Sequence, residues 1–445
     1  MKLAKMSMVA ALLLGANAYA IDNVKVNGSA SIFYGTEDAS VKDAVNTPDM
    51  FDKDASYADA AVKLGVTADL SEGISAGATF QAVSTLGLEN NLVSGVWSGG
   101  HDASASTGSS FPTGAGGVQV DDASWFSEAW IAGTAGKTTA KLGRQALDTP
   151  LAFTETWSIT DNTFEAAVLI NQDLPDTTLI GAWIGKSNGI GEDFWNGTTN
   201  LGFITSAGGK FNTFATDGAY AVAAINNSFE PLTAQAWYYE LPSLATAYWL
   251  QADLDMEGIL AGAQYVNIDT EAEGVNTALG LPAGTLTETK DDTAYGLMLG
   301  YAMKDVATFK IAYSSVDDEG TLGVSNIATA GAGSGAQSKL YTEMWWWYGT
   351  VSQTGADTIA LSAETTVGDG YDLYLGYWTC DIEPKGQVAG DQDSVDEIAF
   401  TVSKSYGPLD TSVALIHDEF DYKGGATSGD DESLTTLQVY LTYNF

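Results

Sequence analysis

This sequence of 445 residues is poor in several chemically useful side chains. It holds one cysteine, Cys380, so no intrachain disulfide and no CxxC metal site can form. Its two histidines, His101 and His417, allow few Ser-His or metal arrangements. Its one arginine is Arg144, and Lys and Arg total 18 against 57 Asp and Glu. With a formal net charge of −39 and no basic stripe, the chain repels nucleic acid. No segment beyond residue 20 has eighteen consecutive apolar residues, which excludes a helical membrane protein. No Gly-rich phosphate loop follows a strand and opens a helix. Disorder does not fit either, because 45% of residues are hydrophobic and 11% aromatic.

What is present begins with an export signal. Lys2 and Lys5 precede an apolar run from Met6 to Gly15, and Ala18-Tyr19-Ala20 has the small-x-small form of a cleavage site. Residues 1–20 are therefore expected to be a signal peptide and 21–445 a single mature domain. Loss of Lys2 and Lys5 takes the charge from −39 to −41.

The mature chain repeats one unit, a strand of roughly ten residues with period-two alternation. The last strand shows it best. Leu437, Val439, Leu441, Tyr443 and Phe445 alternate with Gln438, Tyr440, Thr442 and Asn444. A soluble edge strand would rarely end on an unprotected aromatic, whereas a lipid-facing strand that closes a barrel explains both features. Similar rows are Val62-Leu64-Val66, Phe164-Ala166-Val168-Ile170, Tyr295-Leu297-Leu299-Tyr301 and Phe309-Ile311-Tyr313. These are assigned to the outside. The expected fold is all-β, a transmembrane antiparallel β-barrel of about eighteen strands, with sixteen as the alternative.

Tight turns such as Ser71-Glu72-Gly73 and Gly368-Asp369-Gly370 alternate with long polar connections. Transmembrane barrels separate short turns and long loops in this way. Only Pro242-Ser243-Leu244 is short where a long connection is expected. Tyr34, Tyr57, Trp125, Trp130, Tyr313, Trp378, Tyr443 and Phe445 lie near strand ends and suit interfacial girdles. Trp345-Trp346-Trp347-Tyr348 admits three placements: folded inward as a stacking surface, packed between loops, or in a girdle. Packing between loops is preferred.

The opposite parity of each strand assigns the lumen. Its acids are Asp59, Asp69, Glu128, Glu165, Asp253, Glu364, Asp372, Glu397 and Asp410; its bases are Lys25, Lys63, Lys141 and Lys310. A Lys or Arg at the lipid midplane costs about 2–4 kcal/mol, which favours this placement. A negative wall concentrates cations. His417 beside Asp418 and Glu419 reads as a solvated strand end, and no Ser-His wall pair stands out, so no enzyme is expected. No cofactor is expected beyond Ca²⁺ or Mg²⁺ at acidic loops, where Asp317, Asp318 and Glu319 are weak candidates and solvated loops the commoner outcome.

Ser127-Glu128-Ala129-Trp130, Lys141-Leu142-Gly143-Arg144-Gln145 and Asp148-Thr149-Pro150-Leu151 resemble the OprD-type outer-membrane porins and the related major porins of epsilonproteobacteria. The likeness is local to about 126–171, supported by strand count and the C-terminal aromatic. It implies an eighteen-stranded barrel, a homotrimer, and an inward loop at about Ala146 to Asn162. Lys141 and Gln145 then become lumen candidates, with Asp148 and Glu155 on the loop. Arg144 is a constriction candidate too, but it shares the parity of Leu142 and can instead face the outer interface or lipopolysaccharide. Family members that guide carboxylates use a row of basic residues, and this chain lacks that row.

The expected function is passive diffusion of ions and small hydrophilic solutes across a Gram-negative outer membrane, with cations preferred. Barrel-assembly machinery is the expected partner of the strand ending in Phe445. The alternative is a structural or adhesive barrel with little channel activity.

Overall fold

The structure is a computed structural model that describes residues 22–40, 48–88, 92–93, 122–189, 204, 208–213, 217–278, 281–329, 336–383, 392–422 and 432–445. The signal segment 1–20, His101 and the acids Asp121, Asp430 and Asp431 lie outside the described residues.

Eighteen antiparallel strands form the wall. They are β1 (Asp22–Ser40), β2 (Ser56–Ser71), β3 (Ile74–Ser84), β4 (Ala123–Ala135), β5 (Thr138–Gln145) and β6 (Phe164–Asn171). Next come β7 (Thr177–Ser187), β8 (Ala219–Phe229), β9 (Leu232–Leu241), β10 (Ala245–Met256), β11 (Ile259–Thr270) and β12 (Asp292–Met303). The last six are β13 (Ala307–Val316), β14 (Ala356–Val367), β15 (Tyr371–Ile382), β16 (Gln392–Tyr406), β17 (Leu409–Tyr422) and β18 (Glu432–Asn444). Each pairs with its sequence neighbours, and β1 pairs with β18 to close the sheet. A two-residue strand, Asn212–Thr213, extends the wall beside the end of β7.

Closure is what a membrane requires, because an open edge would strand backbone donors and acceptors in hydrocarbon. At the seam, Gly28 N donates to Phe445 O at 2.8 Å and Phe445 N donates to Gly28 O at 2.9 Å. A Cβ at Gly28 would lie 2.5 Å from the Phe445 ring, so glycine lets the terminal aromatic lie flat against the first strand.

The apolar rows face outward. Val62, Leu297, Leu299, Ile311, Leu375 and Leu441 are all exposed on the outer surface. Tyr295 and Tyr301 stand on β12 about 20 Å apart, given six residues of strand. Tyr220, Tyr248, Tyr295 and Tyr313 mark the long-loop side; Tyr301, Tyr371, Tyr406, Tyr443 and Phe445 mark the short-turn side. These are two aromatic girdles around an apolar band.

Several expected orientations change. Tyr57, Trp125 and Trp378 are buried inside the barrel, not in a girdle. Trp130 is also turned inward, with the Lys141 ammonium 4.4 Å from its ring. The row Phe164-Ala166-Val168 faces inward as well, opposite Gln145, Gly143 and Lys141. Both faces of β6 are apolar there (Ala167 and Leu169 on the other), so alternation carried no sign. The inward side is decided by packing, since Phe164 and Ala166 join the interior cluster with Leu147 and Leu151.

The one short connection at the long-loop end is covered by a helix that the alternation did not announce. α1 (Ala272–Ala278) lies over Pro242-Ser243-Leu244, with Val275 fully buried and Glu271 N donating to Leu244 O at 2.8 Å.

Candidate functional site

The lumen is narrowed by two loops that fold into it. One is residues 146–163, between β5 and β6, where an inward loop was expected. The other is residues 317–329 and 336–355, between β13 and β14, whose inward course the sequence did not reveal. They meet inside the wall. Ile327 N donates to Leu151 O at 3.1 Å. Asn326 exchanges two bonds with the Phe153 backbone, through Oδ1 at 3.2 Å and Nδ2 at 2.9 Å. Lys339 reaches Asp148 at 2.9 Å while its ammonium lies 4.4 Å from the Phe153 ring.

Apolar side chains hold both loops down. Leu147, Leu151, Leu340 and Met344 pack with the inner faces of β8 to β11, where Ala221, Trp237, Tyr239 and Trp249 point inward. Burying one such leucine contributes about 1.5–3 kcal/mol. The barrel interior on the long-loop side therefore resembles a globular core.

Glu155 ties the loops together. It is buried and accepts from Trp157 Nε1 at 3.1 Å, Asn326 Nδ2 at 2.9 Å, Gln337 N at 3.4 Å and the Thr329 hydroxyl. Burial raises its carboxyl above the usual range, and those donors pull the other way. Glu343 is pushed well above the usual range by burial, against opposing bonds from Ser338 N and Oγ. Asp292 accepts from Leu322 N at 2.9 Å and Gly323 N at 2.6 Å, which fixes the start of the second loop. Asp317 takes Glu319 N at 2.9 Å. Among the described residues no three His, Cys, Asp or Glu side chains gather as a metal site.

The Trp345-Trp346-Trp347 run belongs to the second loop, inside the barrel. Trp345 lies 5.9 Å from Tyr374 of β15, Trp347 lies 4.8 Å from Phe420 of β17, and Trp346 meets Trp157 of the first loop at 6.1 Å. It packs between loop and wall, not in a girdle.

Open space follows the β12 to β16 side. A cavity of about 720 Å³ at the short-turn end is lined by Thr308, Glu364, Thr366, Asp372, Tyr374 and Ser403. Deeper in, about 290 Å³ is bounded by Met298, Lys310, Tyr341, Glu343, Tyr374 and Trp378. Tyr374 borders both.

The expected lumen residues fall as follows. Lys63 turns inward and binds Asp161 of the first loop at 2.5 Å. Lys141 lies within electrostatic reach of Glu128. Lys310 sits 3.6 Å from Glu364. Gln145 is buried, with Nε2 donating to Ala166 O at 3.0 Å. Asp372 takes the Thr366 hydroxyl at 2.6 Å, Asp410 takes Asn444 Nδ2 at 2.6 Å, and Asp69 takes Asn23 Nδ2 at 2.6 Å. Asp253 accepts from Gln251 at 2.8 Å and from the Tyr341 hydroxyl.

Two candidates stand elsewhere. Arg144 and Glu165 are cross-strand partners on the face that carries exposed Leu142, outside the lumen. Arg144 Nε bonds Glu165 at 3.0 Å, its Nη1 donates to Phe126 O at 3.1 Å, and its guanidinium lies 4.1 Å from the Phe211 ring. Lys186 approaches Glu165 at 3.5 Å. The inward assignment of Glu165 followed from the reversed row of β6 and is corrected with it. His417 bonds Thr435 Oγ1 at 2.9 Å.

Asn326, Tyr341 and Glu343 were not singled out from the sequence. The one signal available for their loop was its run of aromatics, which a solvated loop has no reason to carry.

No protein-family model matches the sequence, and no curated protein is detectably similar to it. Solved structures do match. Pseudomonas aeruginosa OccK8 (OprE) is 14% identical, covers 96% of this chain and 99% of its own, and has a TM-score of 0.64. OpdL of the same organism is 14% identical over 95% of this chain and 99% of its own, with a TM-score of 0.63. Acinetobacter baumannii OccAB4 is 13% identical over 95% and 98%, at 0.61. The fold is that of OprD-type barrels, as the local resemblance implied.

Proposed function

We propose that this chain is an outer-membrane porin that passes small hydrophilic solutes by diffusion and prefers cations. The closed barrel and its structural neighbours support a channel. The charge preference rests on one observation. Each lumen lysine with a recorded partner stands near an acid: Lys63 by Asp161, Lys141 by Glu128, Lys310 by Glu364 and Lys339 by Asp148. Asp69, Asp253, Asp372 and Asp410 instead take hydrogen bonds from neutral groups. The wall is left with uncompensated negative charge. Within a Debye length of about 8 Å that charge enriches cations and depletes anions.

No bond is made or broken in this process. Solutes partition into the short-turn cavity, pass the Lys310–Glu364 pair and Tyr374, and skirt the second loop. The dense packing of both loops favours a narrow path. It also supports the alternative of a structural barrel with little conductance.

The test is a reversal potential across a planar bilayer holding the purified protein in a salt gradient. A potential of the sign that marks cation flux is expected. Anion selectivity defeats the charge argument, and absence of channels selects the structural alternative.

A further inference from the structure

The second loop is long, and its described part carries few charges that could tie it to the wall. What fixes its aromatic segment is one carboxylate. Glu397 projects inward from β16 and is buried. One oxygen accepts Trp345 N at 2.6 Å; the other accepts Trp346 N at 3.0 Å and Trp347 N at 2.9 Å. Three successive backbone N–H groups that converge on one anion form a nest, a concavity whose donors have no other use in this segment. Trp345 on Tyr374 and Trp347 on Phe420 flank the carboxylate and shield it from water.

The neighbouring acid behaves differently. Asp418 is the cross-strand partner of Glu397 on β17 and is equally buried. Among the described residues neither of its oxygens accepts a well-formed hydrogen bond, although Glu397 and the Trp347 side chain stand beside it. The two acids occupy adjacent places in the same wall, yet only Glu397 accepts the backbone N–H groups of the loop.

We propose that Glu397 is the latch of the second loop: by accepting the three N–H groups it keeps residues 345–347 seated against the wall and so sets the aperture of the pore. Glu397 is a positioning residue, since it acts on solutes through the loop it holds. Glutamine cannot replace it. Its amide offers one oxygen where the nest uses two, and its NH₂ would face donors. Asparagine at 418 alters the other buried acid of the pair without removing an acceptor of those N–H groups.

The aperture part rests on the channel reading; the latch does not, so two readouts are needed. The first is amide hydrogen exchange of the folded, detergent-held full chain, followed by mass spectrometry over 345–347. Slow exchange is expected in the unaltered chain. Glu397→Gln should accelerate it about tenfold or more, because all three N–H groups lose a charged acceptor and at least one of them loses its acceptor outright. Asp418→Asn should leave it unchanged. The second is single-channel conductance, which should rise in Glu397→Gln and stay constant in Asp418→Asn.

Fast exchange of these amides in the unaltered chain overturns the latch, whatever the variants do. So does equal acceleration by both substitutions, which would make disturbance of the buried acid pair, not loss of the three acceptor bonds, the cause. If exchange follows the expected pattern but conductance does not change, the loop is latched and does not set the aperture. If the unaltered chain does not conduct, exchange still decides the latch while the channel reading falls. Should Glu397→Gln fail to form a barrel, Glu397→Asp keeps the charge but withdraws it by one methylene, and intermediate acceleration is expected; no acceleration there overturns the latch.

Discussion

Replacing Glu155 by alanine should unfasten the two loops from each other while leaving the barrel intact. Four donors converge on this carboxylate. Asn326 Nδ2 keeps the Phe153 carbonyl at 2.9 Å, so it is not orphaned. The Gln337 bond, at 3.4 Å, is long and contributes little. Trp157 Nε1 and the Thr329 hydroxyl are left, each costing about 1–3 kcal/mol if it finds no new acceptor. The sum is about 2–6 kcal/mol against loop docking. Burial already disfavours the Glu155 charge, and its removal returns part of that cost, so the lower end is expected. At about 2 kcal/mol the undocked population rises about thirtyfold. Glu155→Gln keeps one oxygen for Asn326 and Thr329 and should cost less. The assay is hydrogen exchange over residues 326–329, with circular dichroism to follow the wall. No acceleration at 326–329, or loss of the barrel together with the loops, would refute the reasoning.

Further outcomes follow from the same structure. Leu297→Arg places a cation on the lipid face in the middle of β12, where Leu297 is 57% exposed, and should cost about 2–4 kcal/mol in denaturant unfolding from lipid vesicles; an unchanged midpoint would mean that this face is not in lipid. Lys310→Ala breaks an ion pair exposed on both sides, so stability should move by less than about 1 kcal/mol while the reversal potential shifts further toward cations. Glu343 has its carboxyl raised by burial, so its contribution to docking is fully present below the ordinary glutamate range and is lost as pH rises through the raised value. Glu343→Gln should therefore slow exchange over 338–343 relative to the unaltered chain at pH 8, with the gap closing as pH falls.

Much of the wall was readable because a barrel strand has two unlike environments. Leu437 to Phe445 and Tyr295 to Tyr301 alternate cleanly, and both emerge as outward rows. Strand edges were readable from turns such as Glu72-Gly73 and Gly407-Pro408. The reading stopped at β6, where Ala166 and Val168 on one face oppose Ala167 and Leu169 on the other. Glu165 was misassigned for that reason, and Arg144 was left undecided. Trp125 and Trp378 look like girdle residues by type and position, but they lie inside, against side chains that the sequence places in distant segments.

The sequence by itself determined that the chain is a closed sheet with a greasy exterior, since alternation is a local property and lipid imposes it on each strand separately. Only the tertiary structure decided what fills its lumen. A polar loop of this length has no periodicity that tells inward from outward, and its course is set by contacts such as Glu155 with Asn326 and Glu397 with the Trp345–Trp347 amides, which join residues far apart in the chain.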